Sequence, residues 1–476
     1  MVEQRTENPR VGSSILPLAT NLFSGLACDA VKFAPTVAEC TVTLSETTTT
    51  NNKPDLLEDY ATKPVPSHIR VNGYRIALIN CGLALSLAGL ILGVELGASL
   101  GLAQSAVAFI VGGLVLALIA AITGYVGVKV RMSSYMIIRY AFGSSGSNVV
   151  NLCMAVSLFG WFGVNASLFA QAAAELWTTL TGTALPEWAF IVAGGALMTA
   201  GAALGFQSLK FLSILLVPVQ LLVLLWLAQI TITGTSFTAL LQVESTGGIT
   251  LGDAVPAVIG SWIVGAVNQP DLTRYGKTFA DSTIAAAIPF LFAASFIYVV
   301  AAMAGLWTGE SDLLPVMIAL GMGVAAFVFV LFSSWITNAM NLYGCSLSIN
   351  AVFRQLREWQ IAIASGVVGI LLALAGILDH FVDFVFSLGI LFTPVAGIYL
   401  VDFFCFRRDL YLSGSTDIER AVSIPAFVAW IVGIGAAVAA SDGWFTISGT
   451  AAIDSLLVTS LCFWAIEFVL QKMPKP

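Results

Sequence analysis

Charge is what this 476-residue chain lacks. Asp, Glu, Lys and Arg make up 10% of it, against about 25% in an ordinary soluble domain. With 58% of its residues hydrophobic, water cannot solvate it as a globule, and lipid must be the solvent. Histidine is nearly missing. His68 and His380 are the only two, so a histidine-built metal site has no ligands to draw on. The seven cysteines, Cys28, Cys40, Cys81, Cys153, Cys345, Cys405 and Cys462, include no CxxC pair, and most sit in apolar runs. They read as small hydrophobes rather than a disulfide or zinc framework. A basic surplus is missing too. Twenty Lys and Arg stand against 27 Asp and Glu, a net charge of -7 that offers nucleic acid no electrostatic footprint.

What the chain has instead is a polar start followed by a succession of long apolar runs. Residues 1–69 are polar and include Thr47-Thr48-Thr49-Thr50-Asn51-Asn52. They read as a disordered tail, and a start codon set too far upstream would leave the same signature. A mildly apolar stretch ends at Cys28, but Gly25 stands where a lipoprotein signal wants an aliphatic residue, so a cleaved leader is not expected. The transmembrane domain is expected over 70–472.

A helix needs about 20 residues, at about 1.5 Å each, to cross about 30 Å of hydrocarbon. Runs of that kind fall near 74–100, 104–128, 148–174, 187–206, 210–232, 252–270, 283–307, 316–348, 359–378, 382–404, 421–441 and 448–470. They are continuous rather than alternating, which excludes a β-barrel. Twelve spans put every basic residue on one side. Arg70 and Arg75 precede the first; Lys129, Arg131 and Arg139 follow the second, and Lys210 the fourth. Arg274 and Lys277 follow the sixth, Arg354 and Arg357 the eighth, Arg407, Arg408 and Arg420 the tenth, and Lys472 and Lys475 the last. The opposite loops carry only acids or nothing: Glu187, Glu244, Asp253, Glu310, Asp312, Asp379, Asp383 and Asp442. One miscounted helix scrambles this segregation. The expectation is therefore an all-α integral membrane protein of the cell membrane, with twelve spans and both termini cytoplasmic.

Polar groups and helix breaks inside the spans mark candidate sites. The first span reads Asn80-Cys81-Gly82-Leu83-Ala84-Leu85-Ser86 and continues to Gly89. The sixth contains Gly260-Ser261-Trp262 and Gly265, then Asn268-Gln269-Pro270-Asp271. Both are interrupted by glycine at mid-depth. They lie five spans apart, so two five-span units would be oppositely oriented, the pattern of an inverted-repeat transporter with its site at the midplane. Glycine used only for close helix packing is the competing reading. In the third span Trp161 and Asn165 share a face at i and i+4, a flat π-surface beside an amide, suited to a planar heterocycle. A tryptophan of the interfacial belt is the alternative, and the depth of Trp161 weakens it. The eighth span holds the densest polar cluster, Ser333-Ser334-Trp335-Ile336-Thr337-Asn338, with Asn341 following. Such a cluster binds a polar solute or a dehydrated cation, or bonds helix to helix. Glu95 reads as an acid of the outer rim, with a proton relay as the rival. Asp271 and Asp402 read as local partners of Arg274 and Arg407.

Several stretches taken together resemble the nucleobase:cation symporter-1 family, and within it the bacterial cytosine permeases, from about residue 70 to 470. They are Gly124-Tyr125-Val126-Gly127, Arg139-Tyr140-Ala141-Phe142-Gly143, Gly160-Trp161-Phe162-Gly163-Val164, Gly260-Ser261-Trp262, Asp271-Leu272-Thr273-Arg274-Tyr275-Gly276, Trp335-Ile336-Thr337-Asn338, and Pro394-Val395-Ala396-Gly397 followed by Asp402. The resemblance implies a LeuT-like core of spans 1–5 (74–232) and 6–10 (252–404), with two further helices (421–470). It implies a nucleobase held between Trp161 and Trp262, with Asn338 bonding the base and Ser86 and Asn341 beside it. Asn165 matches an amide position of members that take hydantoins and purines, where cytosine permeases have glycine. For sodium the resemblance implies carbonyls of Gly82, Leu85 and Ser333 and the hydroxyl of Thr337. Ile336 stands where a second hydroxyl is found, which leaves sodium and proton both open. The expected activity is cation-coupled uptake of cytosine or a purine. Hydroxypyrimidine, hydantoin or allantoin is the runner-up. A membrane receptor is disfavoured because no sizeable output domain is present, and an enzyme because no nucleophile–base set exists. No cofactor, nucleic acid or obligate protein partner is implied.

Overall fold

Apolar segments that cannot leave amide and carbonyl groups unpaired in lipid have to coil. Among the described residues every regular element is helical, apart from one isolated parallel bridge between Val71 and Gly276. The computed structural model describes Tyr60 and residues 63–473, except 204–205, 311–315, 318, 416–417 and 419. Most of the tail expected over 1–69 lies outside the described residues, as does Asp312.

The helices run in the order α1 (Gly73–Ala84), α2 (Leu87–Leu100), α3 (Leu102–Val130), α4 (Ser134–Phe142), α5 (Gly146–Thr181), α6 (Glu187–Ala202), α7 (Phe206–Gly234), α8 (Leu251–Val267), α9 (Phe279–Thr308), α10 (Gly323–Val352), α11 (Glu358–Leu374), α12 (Phe381–Val401), α13 (Ile424–Ser441) and α14 (Ala451–Lys472). Among the described residues nine are long and apolar enough to cross a bilayer, and α1 with α2, bent by 60°, make a tenth if counted as one broken span. Two shorter apolar helices, α6 and α11, fall on the fourth and ninth expected spans. At 16 and 17 residues they measure about 24 and 26 Å, somewhat less than the hydrocarbon thickness. The eighth run, expected from 316, becomes α10 only at Gly323.

Three features depart from the sequence pattern. The linker between α3 and α5 folds into a buried helix, α4, because Ser133 caps it and Asp271 accepts bonds from both the amide and the hydroxyl of Ser134, each at 2.7 Å. In α9 the turn at Ala287–Ala293 widens to a π-helix around Pro289, which has no amide to donate and crowds the preceding turn. The sixth span is not interrupted at its glycines: α8 runs through Gly260 and Gly265 and ends at Asn268.

The bundle is tied by close pairs: α5 with α10, α2 with α9, α3 with α8, and α13 with α14. Small residues permit the closest approaches. A Cβ on Gly93 of α2 would lie 2.6 Å from the Tyr298 carbonyl of α9, so only glycine fits there. The five described free cysteines sit among helices as small side chains, Cys81 and Cys345 buried.

Candidate solute and cation site

A helix that stops leaves carbonyls and amides without intrahelical partners. The first span stops at mid-depth. Leu85 leaves the helical region at ψ 45°, Ser86 is extended at ψ 158°, and α2 restarts at Leu87. The Ser86 hydroxyl caps α2 by accepting from the Gly89 amide at 3.3 Å. A second hydroxyl, from α10, bridges the gap: Ser333 Oγ donates to the Leu85 carbonyl at 3.2 Å and accepts from the Leu87 amide at 2.9 Å. Gln220 of α7 donates through Nε2 to the same Leu85 carbonyl at 3.4 Å. Leu85, Ser86 and Ser333 thus stand together, with Gly82 one turn back in α1. Ser333 enters these bonds through its hydroxyl. Thr337 lies one turn beyond it on the same face of α10. Thr337 Oγ1 and Ser334 Oγ are buried without hydrogen-bond partners among the described residues. Ile336, fully buried, offers no oxygen from its side chain.

A different face of α10 meets α5. At about 100° per residue, Asn338 lies roughly 140° round the helix from Ser333. Its Nδ2 donates to the Phe162 carbonyl and toward Met198 Sδ, both at 3.2 Å, and its Oδ1 accepts from Asn341 Nδ2 at 3.3 Å. Asn338 therefore joins α5, α6 and α10 directly beside Trp161. Asn165 is buried and donates to the Trp161 carbonyl at 2.8 Å; its Oδ1 makes no hydrogen bond among the described residues. Trp161 is half-buried and meets Phe384 of α12 edge-on, with ring centroids 5.8 Å apart at 70°. Trp262 of α8 is also half-buried. Its ring and that of Phe290 flank the same point, each 3.8 Å from where a Cβ on Gly265 would lie. Next to it, Ser261 Oγ lies 3.4 Å from the hydroxyl of the buried Tyr298.

On the basic side one buried guanidinium joins three tyrosines. Arg274, fully buried, donates to the Tyr60 carbonyl at 2.9 Å and to the hydroxyls of Tyr343 and Tyr275 at 2.8 and 3.3 Å. Val71 and Arg70 add bonds to the carbonyls of Tyr275 and Gly276 at 2.7 and 2.6 Å. Asn80 and Gln269 bond each other at 3.1 Å and share the Ala285 carbonyl. Asp402 pairs with Arg407 and accepts from Tyr411 at 2.7 Å; Arg407 and Arg420 both reach Glu467 of α14, at 2.6 and 2.9 Å. The local pairing expected of Asp402 is present. The Asp271 bonds described above go to the start of α4. Glu95 is exposed on α2.

Gln220, Phe384 and Tyr298 escape a reading of the sequence. Gln220 had a signal, an amide inside an apolar run two residues after Pro218, since a polar group in hydrocarbon needs a partner. Phe384 and Tyr298 had none, because an aromatic in an apolar run is indistinguishable from packing. A groove of about 480 Å³ between α7 and α10, lined by Leu222, Trp226 and Val324 among others, is apolar and outward-facing, and lies apart from these groups.

Comparison with known proteins follows this geometry. Residues 64–461 match the family of permeases for cytosine/purines, uracil, thiamine and allantoin. The chain is 26% identical over 381 residues to the cytosine permease of Escherichia coli strain K12, covering 79% of this chain and 88% of that one. It is 27% identical over 425 residues to the hydantoin permease of Microbacterium maritypicum, covering 80% and 84%. Among solved structures, the transporter Mhp1, closed with bromovinylhydantoin bound, aligns with a TM-score of 0.75 at 22% identity, over 87% of this chain and 96% of that one. A sodium-coupled sialic acid symporter aligns with a TM-score of 0.65 at 12% identity, over 88% and 93%. The fold is an all-α, multi-pass membrane fold of the LeuT/Mhp1 kind.

Proposed function

The chain belongs to the nucleobase:cation symporter-1 family of secondary transporters, a family of carriers and not of enzymes, and from that premise we propose that it imports a nucleobase, cytosine or a purine, by cation-coupled alternating access. The observation that carries this reading is the double use of α10. One face stands against the broken first span, where backbone and hydroxyl oxygens gather; another bonds α5 at the carbonyl of Phe162, the residue after Trp161. An ion and a flat polar ring thereby share one helix, which is what coupling requires.

In this proposal the ring stacks between Trp161 and Trp262. Asn338 and Asn165 supply its hydrogen bonds, and Ser86 and Asn341 border it. The ion takes the Gly82, Leu85 and Ser333 carbonyls and the Thr337 hydroxyl, whose oxygen lacks a partner among the described residues. Sodium is favoured over a proton because the gathered groups are neutral oxygens; the acid of this span, Glu95, is exposed and lies three turns beyond Leu85. We read α1–α2 as one broken span and α6 and α11 as full ones, giving twelve in a 5+5 inverted repeat plus two. The segregation of Lys and Arg supports a cell-membrane protein with cytoplasmic termini.

A second reading, a hydantoin or a similar oxygenated ring, is favoured by Asn165, whose Oδ1 is uncommitted, and by the similarity to a hydantoin permease. Competition against labelled cytosine and labelled hydantoin by a panel of bases, in cells expressing the chain, separates the two. Cytosine or a purine should compete best, and Asn165→Gly should shift preference further toward cytosine. Failure of every nucleobase to compete, with strong competition by hydantoins, overturns the first reading.

A further inference from the structure

The resemblance that suggests a cation at the first-span break leaves it one ligand short, since Ile336 has no hydroxyl. We infer that Gln220 of α7 supplies the missing oxygen and is a side-chain ligand of the coupling cation. The inference rests on the cation-coupled reading above.

Gln220 is completely buried. Its amide sits at the break: Nε2 donates to the Leu85 carbonyl at 3.4 Å, where Ser333 Oγ also donates at 3.2 Å. Its other end is unsatisfied, for Gln220 Oε1 has no hydrogen-bond partner among the described residues. An amide oxygen left buried and unpaired destabilises the fold, so a side chain kept only for packing is better replaced by leucine or methionine. Two further orphans, Ser334 Oγ and Thr337 Oγ1, lie on the same stretch of α10. Of these three the Gln220 carbonyl oxygen can only accept, so what it lacks is a donor or a cation, and the two hydroxyls can lend a lone pair to the same partner.

A glutamine side-chain carbonyl is a hard neutral oxygen, the same donor class as the backbone carbonyls of the break and a suitable ligand for a small hard cation. Turning the terminal amide by half a rotation exchanges Nε2 and Oε1. Oε1 then faces the Leu85 carbonyl, and two carbonyl oxygens repel unless a cation lies between them. The two rotamers therefore suit two states: N–H on the carbonyl without the ion, C=O on the ion with it. In the second, Gly82, Leu85 and Ser333 carbonyls, Thr337 Oγ1 and Gln220 Oε1 make a five-oxygen set despite Ile336. The ion then binds α7 as well as the first span and α10.

Equilibrium binding of radioactive sodium to the purified full chain, with no base present, tests this directly. Gln220→Leu keeps the volume and removes the oxygen, and should weaken sodium binding about tenfold or more. Gln220→Glu keeps an oxygen and adds charge, and should bind sodium at least as tightly as wild type at pH 8 and less tightly at pH 5. Wild-type sodium binding that Gln220→Leu leaves unchanged overturns the role of Gln220 while leaving cation coupling intact. No saturable sodium binding by wild type overturns the coupling reading itself. If Gln220→Leu does not fold, a Gln220→Glu protein whose sodium binding equals wild type at both pH values overturns the inference.

Discussion

The first and sixth spans carry similar punctuation and behave differently. Both have glycine near mid-depth, yet the first breaks by 60° between Ala84 and Leu87 while α8 runs straight through Gly260 and Gly265. Glycine permits a break and does not impose one. What the first span has is help at the gap: its own Ser86 caps the restart, while Ser333 of α10 spans the gap and Gln220 of α7 reaches the freed carbonyl. In α8 the hydroxyl at the corresponding depth, Ser261, bonds back to its own helix at Val258. Hydroxyls of other helices meet its backbone at the end of α8, where Thr123 and Tyr399 donate to the carbonyls of Ala266 and Val267 at 2.7 and 2.9 Å. A membrane helix opens where its neighbours carry donors for it. The two spans then present different surfaces at mid-depth, backbone oxygen in the first and the ring of Trp262 in the sixth.

That division is testable in both directions. The largest effect is expected at the rings. Trp262→Ala and Trp161→Ala should each raise the half-saturating base concentration about fivefold to over a hundredfold, the worth of a base–aromatic stack, with sodium dependence close to wild type. Unchanged base affinity in both variants makes them packing residues. Next comes Ser333→Ala, which strands the Leu87 amide at a cost of about 1–3 kcal/mol and should raise half-saturating sodium about five- to a hundredfold. Ser261→Ala should change it less than about threefold. Equal effects of the two serines erase the comparison. The smallest effects concern glycine itself. Gly265→Ala meets nothing closer than 3.8 Å and should leave uptake intact while stabilising α8 by up to about 1 kcal/mol. Gly93→Ala collides with the Tyr298 carbonyl and should lower the melting temperature of the purified protein.

Hydropathy located the apolar helices, nine or ten of them long enough to cross a bilayer among the described residues, because the cost of unpaired backbone in lipid acts on every residue of a run. The pairing of Asp402 with Arg407, five residues apart, was visible for the same local reason. The break was placed in the right span but credited to glycine, since the residues that open it, Ser333 and Gln220, lie more than a hundred positions away. For α4 the cause is equally remote: its first turn is held by Asp271. The candidate site divides the same way. Trp161 and Asn165 are legible as an i,i+4 pair. That Asn338 bonds the Phe162 carbonyl beside them is a product of helix pairing, and no periodicity within α10 announces it.

The ion pairs that join the segment between α12 and α13 to α14 bear on the order in which the chain is assembled. Glu467 belongs to α14, and both cations that pair with it, Arg407 and Arg420, are made dozens of residues earlier. Until α14 arrives, Arg407 has Asp402 as its acidic partner, and Arg420 waits on the basic side. α14 is therefore matched to its neighbours by charge as well as by shape, and a chain cut before Glu467 leaves both arginines without the acid they share.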